Sequence, residues 1–294
     1  MNYHIESGIT DRESQKEVTL LLGQIFPDFW EQIAAKNQEF PFDEISFTAR
    51  TENGQLCGHT GILPFMVSDG YGGTLQFAGI ASVAVDPEFR GKGISSILCE
   101  AAADWAVQNG MDALPLFTGK FGVYSNHGWK DYPVTPPALV CPPKKSGSSG
   151  QRIPAADLSE EQKEKIIQCY EKSFAFPGKV VRSRGNSFHG WKRIFGEPEF
   201  EFTVTKNGYL LIWDGAVIEL CSEPGAETEL LASLGENPFT LALPVSHPAW
   251  GTLRRADWKI QGTPDDVYHG EGVMIRPIKS QIPQDLYFPC ADKF

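Results

Sequence analysis

The stretch VAVDPEFRGKGISSIL, residues 83–98, decides the reading of this chain. It begins as the end of a continuous apolar run, LQFAGIASVAV (75–85), that stops at Asp86-Pro87. Such a run predicts a strand buried on both faces. Beyond the glycines, Ile94, Ile97, Leu98, Ala101, Ala102 and Trp105 recur at helical spacing until Asn109-Gly110 closes the pattern. Between strand and helix lie Arg90, Gly91, Lys92, Gly93, Ile94, Ser95 and Ser96. Glycines there let backbone N–H groups converge, and a helix N-terminus adds about half a positive charge. Arg90 and Lys92 supply more charge, and the two serines supply hydroxyls. The turn is built to cradle a pyrophosphate.

The spacing narrows the ligand. The run is not G-x-x-x-x-G-K-[ST], which excludes a P-loop. Nor is it a G-x-G-x-x-G turn after the first strand of a parallel unit, so a dinucleotide fold is disfavoured.

Working outward, ISFTAR and QLCGHTGILPFMV flank Glu52-Asn53-Gly54 and predict a hairpin over 45–67. ALPLFT (113–118) reads as the strand after the helix. Around 140–154 a Pro pair, a Lys pair and a Gly/Ser run mark a linker, with the boundary near Gly150. The second half opens with a helix from Ser159 to about Lys172, where Ser159 and Gln162 have capping-box spacing. Strands follow at 199–205, 208–214 and 216–221, then a short helix near 226–234 and a strand near 239–243. The expected fold is a mixed α/β one in two units, 1–147 and 148–294, the second without a glycine-rich turn.

Composition bounds the rest. The chain has 294 residues, 41% hydrophobic and 21% charged, which suits two globular units and excludes disorder. The net charge is −11, and both halves are acidic, so a nucleic-acid partner is not expected. No apolar stretch approaches the roughly 20 residues that span a bilayer, and the N-terminus has no signal-peptide pattern. A cytoplasmic protein without a membrane partner is expected. The six cysteines are scattered and the histidines do not cluster. Free thiols and no metal site are expected.

With those residues in view, Arg90, Gly93 and Ser95 resemble the R/Q-x-x-G-x-G/A signature of the GNAT superfamily of acyl-CoA N-acyltransferases, Ser replacing the final small residue. The resemblance implies acetyl-CoA as co-substrate, with Arg90 to Ser96 around its pyrophosphate. It also implies a splayed strand whose backbone at Val83, Ala84 and Val85 pairs with the pantetheine arm and the thioester carbonyl. Tyr124-Ser-Asn-His-Gly128-Trp129 is similar to the superfamily's Y-x-x-x-G-[FYW] element, which implies Tyr124 as proton donor to the departing thiolate. A core tyrosine packed behind the cofactor is the other reading of that residue.

The LFTGKFGVYSNHGW segment followed by a second α/β half resembles the enhanced-intracellular-survival type of acetyltransferase. GYLLIWDGAVIEL and VMIRPI support this more loosely. Members of that type carry a further sterol-carrier-like domain, for which 294 residues leave no room. The type also implies that the terminal carboxylate, here on Phe294, reaches the first unit's site as general base. Asp43, Glu44, His59 and His127 are the other base candidates. The expected activity is acetyl transfer to a primary amine of a small cationic molecule or peptide, with homo-oligomerisation possible. The alternative is a non-catalytic acyl-CoA-binding module.

Overall fold

The computed structural model describes residues 3–9, 11–26, 45–143, 150–185, 189–263, 266–279 and 282–293. Its elements begin with β1 (Tyr3–Ser7), α1 (Arg12–Ile25), β2 (Ile45–Thr51), β3 (Leu56–Ser68) and β4 (Thr74–Val85). Then come α2 (Ile94–Gln108), β5 (Ala113–Thr118), α3 (Phe121–Tyr124), β6 (Lys130–Tyr132) and β7 (Ala138–Cys141). The second half has β8 (Ile153–Pro154), α4 (Glu160–Lys172), α5 (Trp191–Gly196), β9 (Phe200–Thr205), β10 (Gly208–Trp213) and β11 (Ala216–Ser222). It finishes with α6 (Glu227–Ala232), β12 (Phe239–Leu241), α7 (Ala249–Arg255), β13 (Lys259–Gly262) and β14 (Gly272–Pro277).

These strands form two seven-stranded mixed sheets, ordered β1-β2-β3-β4-β5-β14-β6 and β13-β7-β12-β11-β10-β9-β8. The mixed α/β class expected from the sequence is the one found. The expected hairpin is β2–β3, with Gly54 at φ +83 in its turn. The capping box at α4 is complete: Ser159 Oγ accepts from the Gln162 amide, and the Gln162 side chain accepts from the Ser159 amide.

The sheets exchange strands. β7 lies before the expected 147/148 boundary yet pairs with β12 and β13, while β14, from the end of the chain, is inserted between β5 and β6. The boundary itself falls within 144–149, outside the described residues. Side chains close the seam: Val67, Phe77, Val273, Val180, Leu286 and Phe288 share one buried cluster.

The first unit's core sits beneath α2. Ile94, Leu98, Ala102 and Ala106 pack on Phe47, Cys57, Ile62 and Leu116, among others. Gly58 on β3 permits this approach, because a Cβ there would stand 2.8 Å from Ile94 and 3.1 Å from Leu98. The helix N-terminus is thereby held close against the sheet.

Candidate active site

Two irregularities in β4 make an opening. Strands β4 and β5 are parallel but pair only at Phe77 and Ala113, so β4 leaves its neighbour from Ala78 onward. On its other side β4 keeps antiparallel pairing with β3 as far as Val85, with a slip: Gly61 faces Ala81, whereas His59 faces Ala84. The extra residue is a bulge, and Ser82 within it takes φ +53, a left-handed conformation unusual for a residue with a Cβ. Val83, Ala84 and Val85 follow the bulge, on the edge that β5 has vacated.

The strand runs straight into the glycine turn. Asp86 caps a short 3-10 turn over Pro87–Phe89 through the Glu88 amide. Gly91 and Gly93 then take φ +73 and +79, and a Cβ on either would meet nothing within 4 Å. Gly93 is the N-cap of α2 and provides no side-chain acceptor for the first-turn amides. This leaves a helix N-terminus facing open space, the arrangement that suits an anion.

The loop's side chains divide into two groups. Arg90, Gly91, Lys92 and Gly93 are exposed, and Ser95 and Ser96 are half-buried. Ile94 and Ala84 are buried, so only their backbone can meet a ligand. Lys92 Nζ donates to the Glu88 carbonyl at 2.9 Å and lies over the Phe89 ring, which fixes the loop's outer turn. Arg90 Nε reaches the Val85 carbonyl at 3.4 Å, drawing that side chain back along the strand end.

Ser96 is tied to the tyrosine-bearing segment. Its hydroxyl is 2.8 Å from His127 Nε2, and His127 Nδ1 is 3.7 Å from Glu100. Glu100 in turn accepts two hydrogen bonds from Arg276 of β14, whose guanidinium lies over Trp129. Sequence reading treated His127 as a base candidate and missed this chain, since Arg276 lies 149 positions further along.

Tyr124 ends α3, buried, with its ring edge-to-face on Trp129. It belongs to the core cluster against which Val83 and Val85 pack. Burial, reinforced by Cys99 and Glu271, holds its phenol well above the usual tyrosine range. Among the described residues its hydroxyl has no hydrogen-bond partner. Gly272 abuts the Phe121 ring of the same short helix, so Glu271 lies beside this element.

The other base candidates fare differently. His59 is fully buried, with both ring nitrogens engaged and its pKa pushed down to about 4 by burial. That corrects its reading as a base candidate. Asp43, Glu44 and Phe294 lie outside the described residues. The tail before Phe294 is packed: Leu286, Tyr287, Phe288, Cys290, Ala291 and Asp292 are buried. Its last described residue, Lys293, places Nζ 2.6 Å from Glu271.

The segment that carries this geometry also matches a known family in sequence. Residues 16–127 match the acetyltransferase (GNAT) family. These residues are a GNAT acetyltransferase domain. The match runs from within α1 to the His127 that bonds Ser96, so it contains the splayed strands, the glycine turn and Tyr124. The chain therefore carries an acyltransferase domain.

Three solved structures share the fold of nearly the whole chain. One is a probable N-acyltransferase from Enterococcus faecalis V583, at 18% identity and TM-score 0.63, covering 96% of this chain and 74% of that one. Another is Eis1 from Mycobacterium abscessus, at 15% and 0.63, covering 95% and 74%. The third is a GCN5-related N-acetyltransferase from Kribbella flavida, at 16% and 0.62, covering 93% and 72%. At these identities the likeness speaks for the fold, GNAT domain and second half together. A search of curated proteins finds no sequence match. No helix among the described residues is long and apolar enough to cross a membrane.

Proposed function

We propose that this protein is an acetyl-CoA-dependent N-acetyltransferase that moves an acetyl group to a primary amine by direct attack. The observation that carries the proposal is the continuity of the β4–β5 gap with the uncapped N-terminus of α2. One opening offers backbone hydrogen-bonding groups along a strand edge, then an anion-binding turn.

In this reading the amides of Gly91 to Ser96 hold the pyrophosphate, with Arg90 and Lys92 adding charge. Val83, Ala84 and Val85 pair with the pantetheine arm and stabilise the oxyanion as a neutral amine attacks the thioester carbon. The C–S bond then breaks, and the thiolate leaves beside Tyr124. A thiol ordinarily titrates near 8.5 and a phenol near 10, and burial raises Tyr124 further. Full proton transfer is therefore uphill, and Tyr124 acts mainly by donating a hydrogen bond to the developing thiolate. A hydrogen bond to a charged group is worth about 1.5–3 kcal/mol, roughly 10- to 100-fold in rate.

The amine's proton needs an acceptor. In this reading water in the opening takes that proton. The Lys293–Glu271 contact brings the tail toward the element that carries Tyr124. The second half shapes the acceptor side, and the charge of −11 favours a cationic amine. We place the protein in the cytoplasm, with neither nucleic acid nor membrane as partner.

The test is mass spectrometry of acceptors incubated with acetyl-CoA and enzyme. A polyamine, an aminoglycoside-like amine and a lysine peptide are suitable acceptors. An acetylated amine supports the proposal. Acetyl-CoA binding with no product from any amine favours the non-catalytic module instead.

A further inference from the structure

The bulge that opens β4 is not held by the β4–β3 ladder alone. His59 lies opposite it on β3, with Nδ1 3.0 Å from the Ser82 carbonyl and Nε2 3.0 Å from Ser46 Oγ on β2. A carbonyl can only accept, so Nδ1 carries the proton and Nε2 accepts from the Ser46 hydroxyl. One ring thus links three neighbouring strands at the point where the backbone is left-handed.

The local geometry explains why a link is needed there. A left-handed conformation at a residue with a Cβ costs roughly 1–2 kcal/mol and persists only where the surroundings over-determine it. A one-residue slip also exchanges which backbone groups face β3 and which face the vacated β5 side. Whether Val83, Ala84 and Val85 present the correct N–H and C=O groups to the opening depends on that slip. The Ser82 carbonyl, turned out of the regular ladder, finds its acceptor role satisfied by His59.

We infer that His59 is a positioning residue for acyl-CoA binding: its Nδ1–H bond to Ser82 locks the bulge that aims the Val83–Val85 backbone into the β4–β5 opening. The inference rests on the acetyl-CoA reading above, but it concerns a residue outside the cofactor loop and outside the reacting groups. Burial keeps the ring neutral, so it acts as a fixed hydrogen-bond donor and not as a base.

Two substitutions separate the ring's two bonds. Asn places an amide N–H near the position of Nδ1, so His59→Asn retains the bond to Ser82 and gives up the one to Ser46. His59→Gln does the reverse, and Ser46→Ala removes only the Nε2 partner. Acetyl-CoA affinity is read by calorimetry and folding by thermal melting. The expected result is about tenfold weaker binding in His59→Gln, the scale of one lost hydrogen bond with its associated strain. His59→Asn and Ser46→Ala should stay within about threefold of wild type, although all three melt earlier.

Equal affinity in His59→Gln and His59→Asn would overturn the positioning role. If His59→Gln does not fold, ¹⁵N NMR of the wild-type imidazole decides: an Nδ1–H tautomer supports the role and an Nε2–H tautomer refutes it. Wild-type protein that binds no acetyl-CoA would instead remove the proposed function, and this inference with it.

Discussion

Arg182 grips Asp292 with two hydrogen bonds, at 3.0 Å through Nε and 2.8 Å through Nη2, two positions before the end of the chain. Its other edge holds Glu219 of β11 at 3.0 and 2.6 Å, and all three side chains are buried. Charge pairing with Asp292 and Glu219 outweighs the desolvation of Arg182 and keeps the guanidinium firmly ionised. The Tyr170 and Trp191 rings lie on it as well. The tail is therefore clamped to the second sheet before Lys293 turns to Glu271.

Removing one member of such a cluster leaves buried charge uncompensated, which typically costs about 3–5 kcal/mol. Arg182→Ala should lower the stability measured by urea unfolding by that amount, and Asp292→Asn by less, since Glu219 still pairs with the arginine. An Arg182→Ala midpoint equal to wild type would show that the tail is not anchored here.

Tyr124→Phe should reduce turnover at least about tenfold with acetyl-CoA affinity little changed, because the hydroxyl acts as sulfur departs. Release of CoA thiol gives turnover, and calorimetry gives affinity. Unchanged turnover removes Tyr124 from the chemistry and leaves it as a packed aromatic beside Trp129.

Gly93 separates strain from occupancy. A Cβ there meets no protein atom, so Gly93→Ala costs folding stability only through its φ of +79, about 1 kcal/mol. The same Cβ, and still more a carboxylate, would project toward the pyrophosphate. Gly93→Ala should therefore melt slightly earlier and bind acetyl-CoA more weakly, while folded Gly93→Glu should not bind it. Normal binding by Gly93→Glu would show that the anion sits elsewhere.

Acid should destabilise the fold in a defined window. Burial pushes the pKa values of His59, His189 and His247 down to about 4 from an ordinary 6.5. The unfolded chain therefore binds protons that the folded chain refuses. The stability these neutral rings provide is fully present above about pH 6.5 and is lost as pH falls toward 4. Each ring accounts for a loss of about 1.4 kcal/mol for every pH step of one across that window. Urea midpoints at pH 7.5, 6 and 5 measure this. A flat series would mean that the rings are protonated in the folded state.

Local chemistry made much of this legible in the sequence. The small-apolar run, the two glycines and the helical stripe of α2 each act over a few residues, and all three lie where their spacing predicts. Ser159 and Gln162 form their box for the same reason. Non-local pairing was opaque. VMIRPI covers most of β14, but nothing in its residues says that β14 inserts between β5 and β6, or that β7 joins the other sheet. The bulge at Ser82 was hidden too, because a serine in an apolar run has no left-handed preference of its own. Its contact with His59, 23 positions away, is equally non-local. The Ser96–His127–Glu100–Arg276 chain likewise depends on Arg276 arriving from the end of the sequence.

The most direct test of the central claim is calorimetric titration of the intact protein with acetyl-CoA, with CoA alone alongside. The account predicts saturable binding at one site per chain, since only the first unit has the glycine turn. No binding by folded protein would contradict it, and two sites per chain would contradict its assignment of the cofactor to the first unit alone.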